Sequence, residues 1–254
     1  MVYAEERQQA ILRRARADGR VDVASLAQDL DVTPETVRRD LTVLQRAGLV
    51  RRVHGGAVII ERLGFEPAVS AREAVLTAEK ERIAKAALAE LPSEGAVIID
   101  AGTTTARFAE ALPTDRELTV VVNSPVLAAV LARRANLNVM MLGGRVRHRT
   151  LAVVDDWATS ALAGVHADVA FMATNGISVE HGLTTPNPGE AAVKRAMIGA
   201  ARRTVLLADH TKIGNDYFAS FGDLVDVDVL ITDTGADREL ADEIADAGVR
   251  IVMA

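Results

Sequence analysis

The chain has 254 residues, enough for one small and one mid-sized domain with a buried core. It contains no cysteine, which excludes disulfides, thiolate catalysis and cysteine-ligated zinc and fits a reducing compartment. The net charge of −6 is unevenly spread: residues 1–60 hold 10 arginines and no lysine against 8 acids (+2), and the rest of the chain holds 19 basic and 27 acidic groups (−8). An acidic body repels a phosphate backbone, so nucleic acid would have to dock on a local basic face. The start Met-Val-Tyr-Ala-Glu-Glu-Arg lacks the apolar core of a signal peptide, and no apolar run reaches membrane-spanning length. A cytoplasmic location without membrane attachment is therefore expected.

In chain order, Glu5–Ala17 reads as a helix with Ile11 and Ala15 inward, closed by Gly19. Val23, Leu26, Ala27 and Leu30 mark a second amphipathic helix, followed by a turn of a few residues around Asp31. Thr33 can cap the next helix, with Pro34 at its first position, where a missing N–H costs nothing. Val32 and Val37 are spaced as a hydrophobic staple. Val37, Leu41 and Leu44 repeat at i, i+4, i+7, which buries one stripe and turns Glu35, Arg39, Thr42 and Arg46 outward, with Thr36 and Arg38 on the flanks. Gly48 is a candidate stop. Helix, short turn and capped helix make helix-turn-helix geometry, whose second helix fits a DNA major groove. Leu49–Val53 and Ala57–Ile60 flank His54-Gly55-Gly56 and read as a hairpin whose two glycines supply positive φ. Arg51, Arg52 and His54 near its tip make a basic wing. The alternative is a small helical core with a solvated arginine pair, and the ordered series argues against it.

The run Thr-x-x-Thr-Val-Arg-Arg-Asp-Leu, followed by Gly-Leu-Val-Arg-Arg-Val-His-Gly-Gly-Ala, resembles the winged helix-turn-helix of the DeoR family of bacterial transcriptional regulators. The resemblance implies that Thr36, Arg38 and Arg39 face an operator. Thr33, Arg46, Arg51, Arg52 and His54 complete the candidate DNA-binding set.

Residues 61–75 lose periodicity and contain Gly64, Pro67 and Ser70, so a linker is expected between a domain at 1–60 and one at 76–254. From Leu76 helical patterns alternate with short Val/Ile/Leu runs: Ala96–Ile99, Leu118–Val122, Val139–Leu142, Asp168–Ala173, Val205–Ala208, Val229–Thr232 and Val249–Val252. That alternation marks a mainly parallel, Rossmann-like sheet covered on both faces, which binds ligands at the carboxyl ends of its strands. The overall fold class is thus α/β, with a small winged helix-turn-helix domain in front.

Several segments follow strands directly. Asp100-Ala101-Gly102-Thr103-Thr104-Thr105 opens a helix, where free N–H groups and threonine hydroxyls can meet an anion. It has neither the Gly-x-Gly-x-x-Gly of a dinucleotide fold nor the Gly-Lys-Ser/Thr of a P-loop, so a small phosphate ester fits better than a nucleotide. A plain capped helix is the alternative. Asn123-Ser124-Pro125 and Gly143-Gly144-Arg145 repeat the placement after the next two strands. Thr184-Thr185 leads to Glu190 and Lys194, which alone would read as an ordinary i,i+4 helix pair. Asp209-His210-Thr211-Lys212 follows a further strand. Arg145, Arg147 and Arg149 form a basic patch for an anion, a subunit or, first of all, water. The five histidines show no ligand spacing, so no metal and no cofactor are expected.

These segments are similar to the DeoR-family sensor domain, which is related in fold to ribose-5-phosphate isomerase and glucosamine-6-phosphate deaminase. The resemblance implies that Gly102, Thr103 and Thr104 cradle a phosphate and that Asn123, Glu190, Lys194 and Lys212 contact the sugar or close the pocket. Asp100, Thr105, Ser124, Gly143, Gly144, Thr185 and Asp209 join the candidate effector set. The expected protein is a non-enzymatic, sequence-specific repressor of a sugar-catabolism operon. It would work as a homo-oligomer on double-stranded operator DNA and be released by a phosphorylated sugar. A likeness to regulators beside fructose-utilisation genes suggests a fructose phosphate. The rival is a sugar-phosphate isomerase or deaminase carrying an extra DNA-binding domain.

Overall fold

A computed structural model describes residues 4–46, 49–59, 66 and 68–254, and the contacts divide the chain into two units, Met1–Pro67 and Ala68–Ala254. Gly48, Ile60 and part of the expected linker (61–65 and 67) lie outside the described residues.

In the first unit, α1 (Ala4–Asp18), β1 (Arg20–Asp22), α2 (Val23–Asp29), α3 (Pro34–Arg46), β2 (Val50–Val53) and β3 (Gly56–Ile59) follow in order. The apolar stripes of the three helices meet in one core of Ile11, Leu12, Ala15, Leu26, Val37, Leu41 and Leu44, which Val50 and Ala57 close from the wing. Asp22 caps α2 by accepting from the backbone N–H of Ala24 and Ser25. The turn between α2 and α3 runs through Asp31 at φ +50, a left-handed position that short polar side chains tolerate. The hairpin is wider than the sequence suggested: β1 pairs antiparallel with β3, giving a three-stranded sheet in the order β1-β3-β2. This changes the role of one glycine. Gly55 does take positive φ (+78), but Gly56 does not; it is glycine because a Cβ there would sit 1.9 Å from the Val21 carbonyl oxygen of β1.

The second unit begins with α4 (Val69–Glu73), where the sequence suggested irregular linker. Its first backbone N–H, on Val69, donates to the Arg149 carbonyl (2.9 Å), which ties it to the body. There follow α5 (Thr77–Ala87), β4 (Gly95–Ile99), α6 (Thr103–Ala111), β5 (Leu118–Val122), α7 (Pro125–Leu131), β6 (Leu137–Met141), the short hairpin β7 (Arg145–Val146) and β8 (Val153–Val154), α8 (Asp156–Leu162) and β9 (Val169–Ala173). The chain continues with β10 (Gly176–Ser178), β11 (Gly182–Thr185), α9 (Pro188–Gly199), β12 (Thr204–Leu207), β13 (Ala219–Gly222), β14 (Val229–Thr232), α10 (Arg238–Asp246) and β15 (Arg250–Met253).

Seven strands form one parallel sheet in the order β15-β14-β12-β9-β4-β5-β6. Successive side chains of a strand point to opposite faces. Ile98, Val121, Met172 and Leu206 therefore pack under α8, α9 and α10, while Val97, Ile99, Phe171 and Val205 pack under α5, α6 and α7. Phe108 of α6 lies against Phe171 of β9 with centroids 4.2 Å apart. Burial on both faces is why these strands read as unbroken apolar runs. A second sheet, β10-β11-β13, is antiparallel and small. The chain builds outward from β4 through β5 and β6, then returns to β9 on the other side of β4 and builds the opposite way. That reversal between β4 and β9 is the topological switch point, where the crevice of such a sheet opens.

Candidate nucleic-acid interface and effector site

On α3 the Thr33 hydroxyl accepts from the Thr36 backbone N–H (3.2 Å) and shares a hydrogen bond with the Thr36 hydroxyl (2.9 Å), so the helix start is capped as its sequence indicates. Arg38, Arg39, Arg46, Arg51 and His54 are exposed. Two of the candidate contacts are partly engaged. Arg38 pairs with Glu35 at 3.2 Å, and Arg52 donates to the Arg38 carbonyl (3.3 Å), fastening the wing to α3. Among the described residues Arg39 has no hydrogen-bond or ion-pair partner, and it projects from a helix that a major groove accommodates. Next to it Asp40 is buried and accepts from Arg7 (2.5 and 3.1 Å) and Gln8 (3.1 Å) of α1. That tie sets the angle between α1 and α3 and was not anticipated from the sequence.

In the second unit the switch point carries an ionic knot. Asp100, fully buried just past β4, accepts from Asn123 Nδ2 (3.0 Å), from the Ala173 backbone N–H (3.1 Å) and from the Lys194 ammonium. Lys194 also donates to the Ala173 carbonyl (2.9 Å) and stands 5.3 Å from the Phe221 ring centre, and Asn123 accepts from the Ala101 N–H (2.6 Å). These bonds lock the carboxyl ends of β4, β5 and β9 to α9. Asp100, Asn123 and Lys194 thus form a buried floor at this end of the sheet, with their donors and acceptors largely engaged.

Above that floor α6 starts at Gly102, and no side chain caps it. The glycine is needed for packing, since a Cβ would lie 2.7 Å from the Ala173 Cβ and 2.9 Å from the Thr105 hydroxyl. Thr105 donates to the Gly102 carbonyl (3.1 Å) and Thr104 is buried, leaving half-buried Thr103 as the threonine best placed for solvent. Ser124 caps α7 through Leu127 N–H (3.5 Å), and Thr185 donates to Asn175 (3.0 Å). Gly143 and Gly144 lead from β6 into the β7–β8 hairpin.

Glu190 is buried at the start of α9 and accepts from Arg147 (2.6 Å) and from the Thr150 hydroxyl. It fastens the β7–β8 hairpin to the body, and Arg147, read first from sequence as solvated, is its half-buried partner. Arg145 pairs instead with exposed Asp155 at 2.7 Å.

Asp209 caps the 3-10 turn His210–Lys212 and lies 3.7 Å from Lys212. Burial raises its pKa, but Lys212, the Thr211 hydroxyl, Lys80 and His210 outweigh that, holding its carboxyl below the usual range. Lys80 is a functional candidate the sequence reading missed. It lies buried at the start of α5, donating to the carbonyls of Val75 (2.6 Å) and Arg72, and burial pushes its pKa down to about 8. Its signal was legible: Lys80, Ile83, Ala84 and Ala87 share one stripe, so a cation occupies an apolar position. Lys80 feels Asp209, Lys212, Arg72 and Arg107, so several cations gather at this strand end near the Asp209 carboxylate.

The sequence matches the model of the DeoR-like helix-turn-helix domain over residues 7–63 and that of the DeoR C terminal sensor domain over residues 76–234. The chain belongs to the DeoR family of transcriptional regulators. Its DeoR-family relatives include the HTH-type transcriptional regulator GlpR of Haloferax volcanii, 39% identical over 99% of this chain and 98% of that protein. The HTH-type transcriptional regulator GolR of Listeria innocua is 31% identical over the full length of both, and a putative aga operon transcriptional repressor of Escherichia coli is 30% identical over 98% and 93%. Relatives of this length named as regulators place this DeoR-family chain among DNA-binding regulators, not enzymes. A solved ribose 5-phosphate isomerase of Methanocaldococcus jannaschii overlaps 52% of each chain at 16% identity with a TM-score of 0.39, too slight to carry an argument.

A shallow depression lies at the amino ends of β4–β6, but Glu94, Glu117 and Asp168 line it, which repels a phosphate. Among the described residues no group of three or more His, Asp or Glu is placed to hold a metal ion, and no helix is long and apolar enough to cross a membrane.

Proposed function

We propose that this protein represses a sugar-utilisation operon and that a phosphorylated sugar, seated at the carboxyl ends of β4, β9 and β12, releases it from operator DNA. The observation that carries the reading is a gathering of positive charge and an uncapped helix start at one end of the sheet. The N-terminus of α6 is uncapped while its neighbours α7 and α9 are capped by Ser124 and Asn187, and two lysines, Lys80 and Lys212, share the carboxylate of Asp209. A phosphate dianion supplies the missing negative charge and accepts from free N–H groups at a helix start. Repression is supported by a relative named as a putative operon repressor.

The winged unit supplies the DNA contact through Arg39 and the wing, and α3 is long enough to present several side chains to a groove. A ligand changes DNA affinity only through its preference for one conformation, and a coupling of about 1–3 kcal/mol gives roughly a 5–150-fold change. The test is an operator titration with a panel of sugars, each with and without its phosphate, fructose phosphates included. Phosphorylated members should release wild type, while Lys212→Ala should hold the operator and fail to respond. Equal release by neutral sugars, or a normal response from Lys212→Ala, would overturn the assignment.

A further inference from the structure

The surface most at odds with its surroundings is the far edge of the large sheet. Strand β6 (Leu137-Asn138-Val139-Met140-Met141) has a strand partner on one side only among the described residues, and it contains no charged residue. Natural edge strands are usually blunted by charge, proline, a bulge or a covering loop. The opposite edge strand, β15, follows that rule: Arg250 lies on it and pairs with Glu90 at 2.6 Å. The helix packed beside β6, α7, reads Pro-Val-Leu-Ala-Ala-Val-Leu, again without a charge. Leu127 and Leu131 face the core, yet Val126, Ala129 and Val130 form a second apolar stripe that is exposed, Val126 by 49% and Val130 by 42%. A helix that is apolar all round is normally buried all round. Met141, which pairs with Val122 on the α7 side of the sheet, is 49% exposed and continues this apolar face onto the strand, while Met140, 50% exposed, lies on the opposite side of the same edge.

We infer that this face is where a second copy of the chain docks, with β6 pairing antiparallel to β6 of the partner subunit and the two α7 helices side by side. Charge selects the occupant. The chain beyond residue 60 carries a net −8, so two copies repel over most of their surface and can approach where neither presents a charge. A two-fold contact places each residue near its own equivalent, which disfavours a charged face and suits an uncharged one. A two-fold axis normal to the sheet makes the paired edge strands antiparallel and keeps both α7 helices on the same face, where the valine stripes meet. The pairing would extend the seven-stranded sheet across the dimer and satisfy the open edge of β6.

The chain has no native cysteine, so single-cysteine variants report cleanly. Wild type at micromolar concentration, without any sugar phosphate, should sediment as a dimer or a multiple of one. Val126→Glu combined with Val130→Glu should halve that mass and weaken operator binding by roughly 100-fold or more, as loss of bivalent attachment does. Val225→Glu and Phe218→Glu alter exposed apolar side chains elsewhere and should change neither. Under mild oxidation Val130→Cys should give a covalent dimer and Val225→Cys should not. A monomeric wild type, or a glutamate pair that keeps the wild-type mass, overturns the inference. If the glutamate pair impairs folding, the Val130→Cys variant decides, and absence of its cross-link is fatal. Because ligand is absent throughout, the result is independent of whether a sugar phosphate is the effector.

Discussion

Arg39 and Asp40 are adjacent in sequence and opposite in fate. Arg39 points to solvent from α3, whereas Asp40 is 3% exposed and holds Arg7 and Gln8. Arg39→Ala should therefore lose specific operator binding worth about 1–3 kcal/mol, the usual value of an arginine contact to a base, with no change in thermal stability. A loss that is uniform across DNA sequences would make Arg39 a backbone contact. Asp40→Ala should do the reverse first. It removes two charge-assisted hydrogen bonds from a mostly buried Arg7, which should cost about 1.5–3 kcal/mol. Circular dichroism melts of the two variants separate the roles. Gly102 makes the same point in the effector unit. Because a Cβ there meets Ala173 and Thr105, Gly102→Ala should lower the melting temperature, so loss of ligand response in that variant would not by itself locate the phosphate.

At the scale of elements, the start of α5 and the turn after β12 carry the titrating groups. Burial depresses the Lys80 pKa to about 8, so the free protein holds this lysine charged below that pH and loses the charge as pH rises through it. A bound phosphate favours the charged form. Effector affinity should thus be full near pH 7 and fall by pH 9.5, while Lys80→Arg, which stays charged, should show a flat profile; calorimetric titration at both pH values reads this directly. The neighbouring His210 donates through Nδ1 to the Asp233 carboxylate at 2.8 Å. That hydrogen bond raises its pKa above the usual value, with burial opposing. A raised folded-state pKa gives stability that is complete below the unfolded value, about 6.5, and disappears as pH climbs through the folded one. His210→Gln should therefore melt well below wild type at pH 6 and closer to it at pH 9. A constant gap would mean that the pair contributes by packing alone.

At the scale of the whole molecule, each unit has its own apolar core: Ile11, Val37 and Leu41 anchor one, and the two faces of the parallel sheet anchor the other. Separate cores allow separate cooperative transitions. Leu41→Ala, which empties a fully buried site, should cost about 2–5 kcal/mol and shift only the transition of the winged unit. Scanning calorimetry in which both transitions move together would show the units to be energetically coupled.

The sequence by itself determined the order and type of most elements, because their signals are local. A capping threonine before proline, apolar residues at i, i+4, i+7, and short Val/Ile/Leu runs each constrain a few neighbouring residues whatever the rest of the chain does. The same locality exposed the strand-end segments after β4, β5 and β12. Elements whose stability comes from distant partners were not legible. Strand β1 is three residues that exist as a strand only because β3 lies beside them, and β10, β11 and β13 are three or four residues each, rich in Gly, Ser and Thr with a single large apolar residue apiece. The tertiary structure alone decided which polar groups are occupied. Asp100 and Lys194 are 94 residues apart and meet only across the switch point, Glu190 takes Arg147 from a hairpin 43 residues away, and Lys80 is drawn to carbonyls at the end of α4. A buried charge must find a partner or change its protonation, and which partner it finds depends on how distant strands are ordered in the sheet, not on its neighbours in the chain.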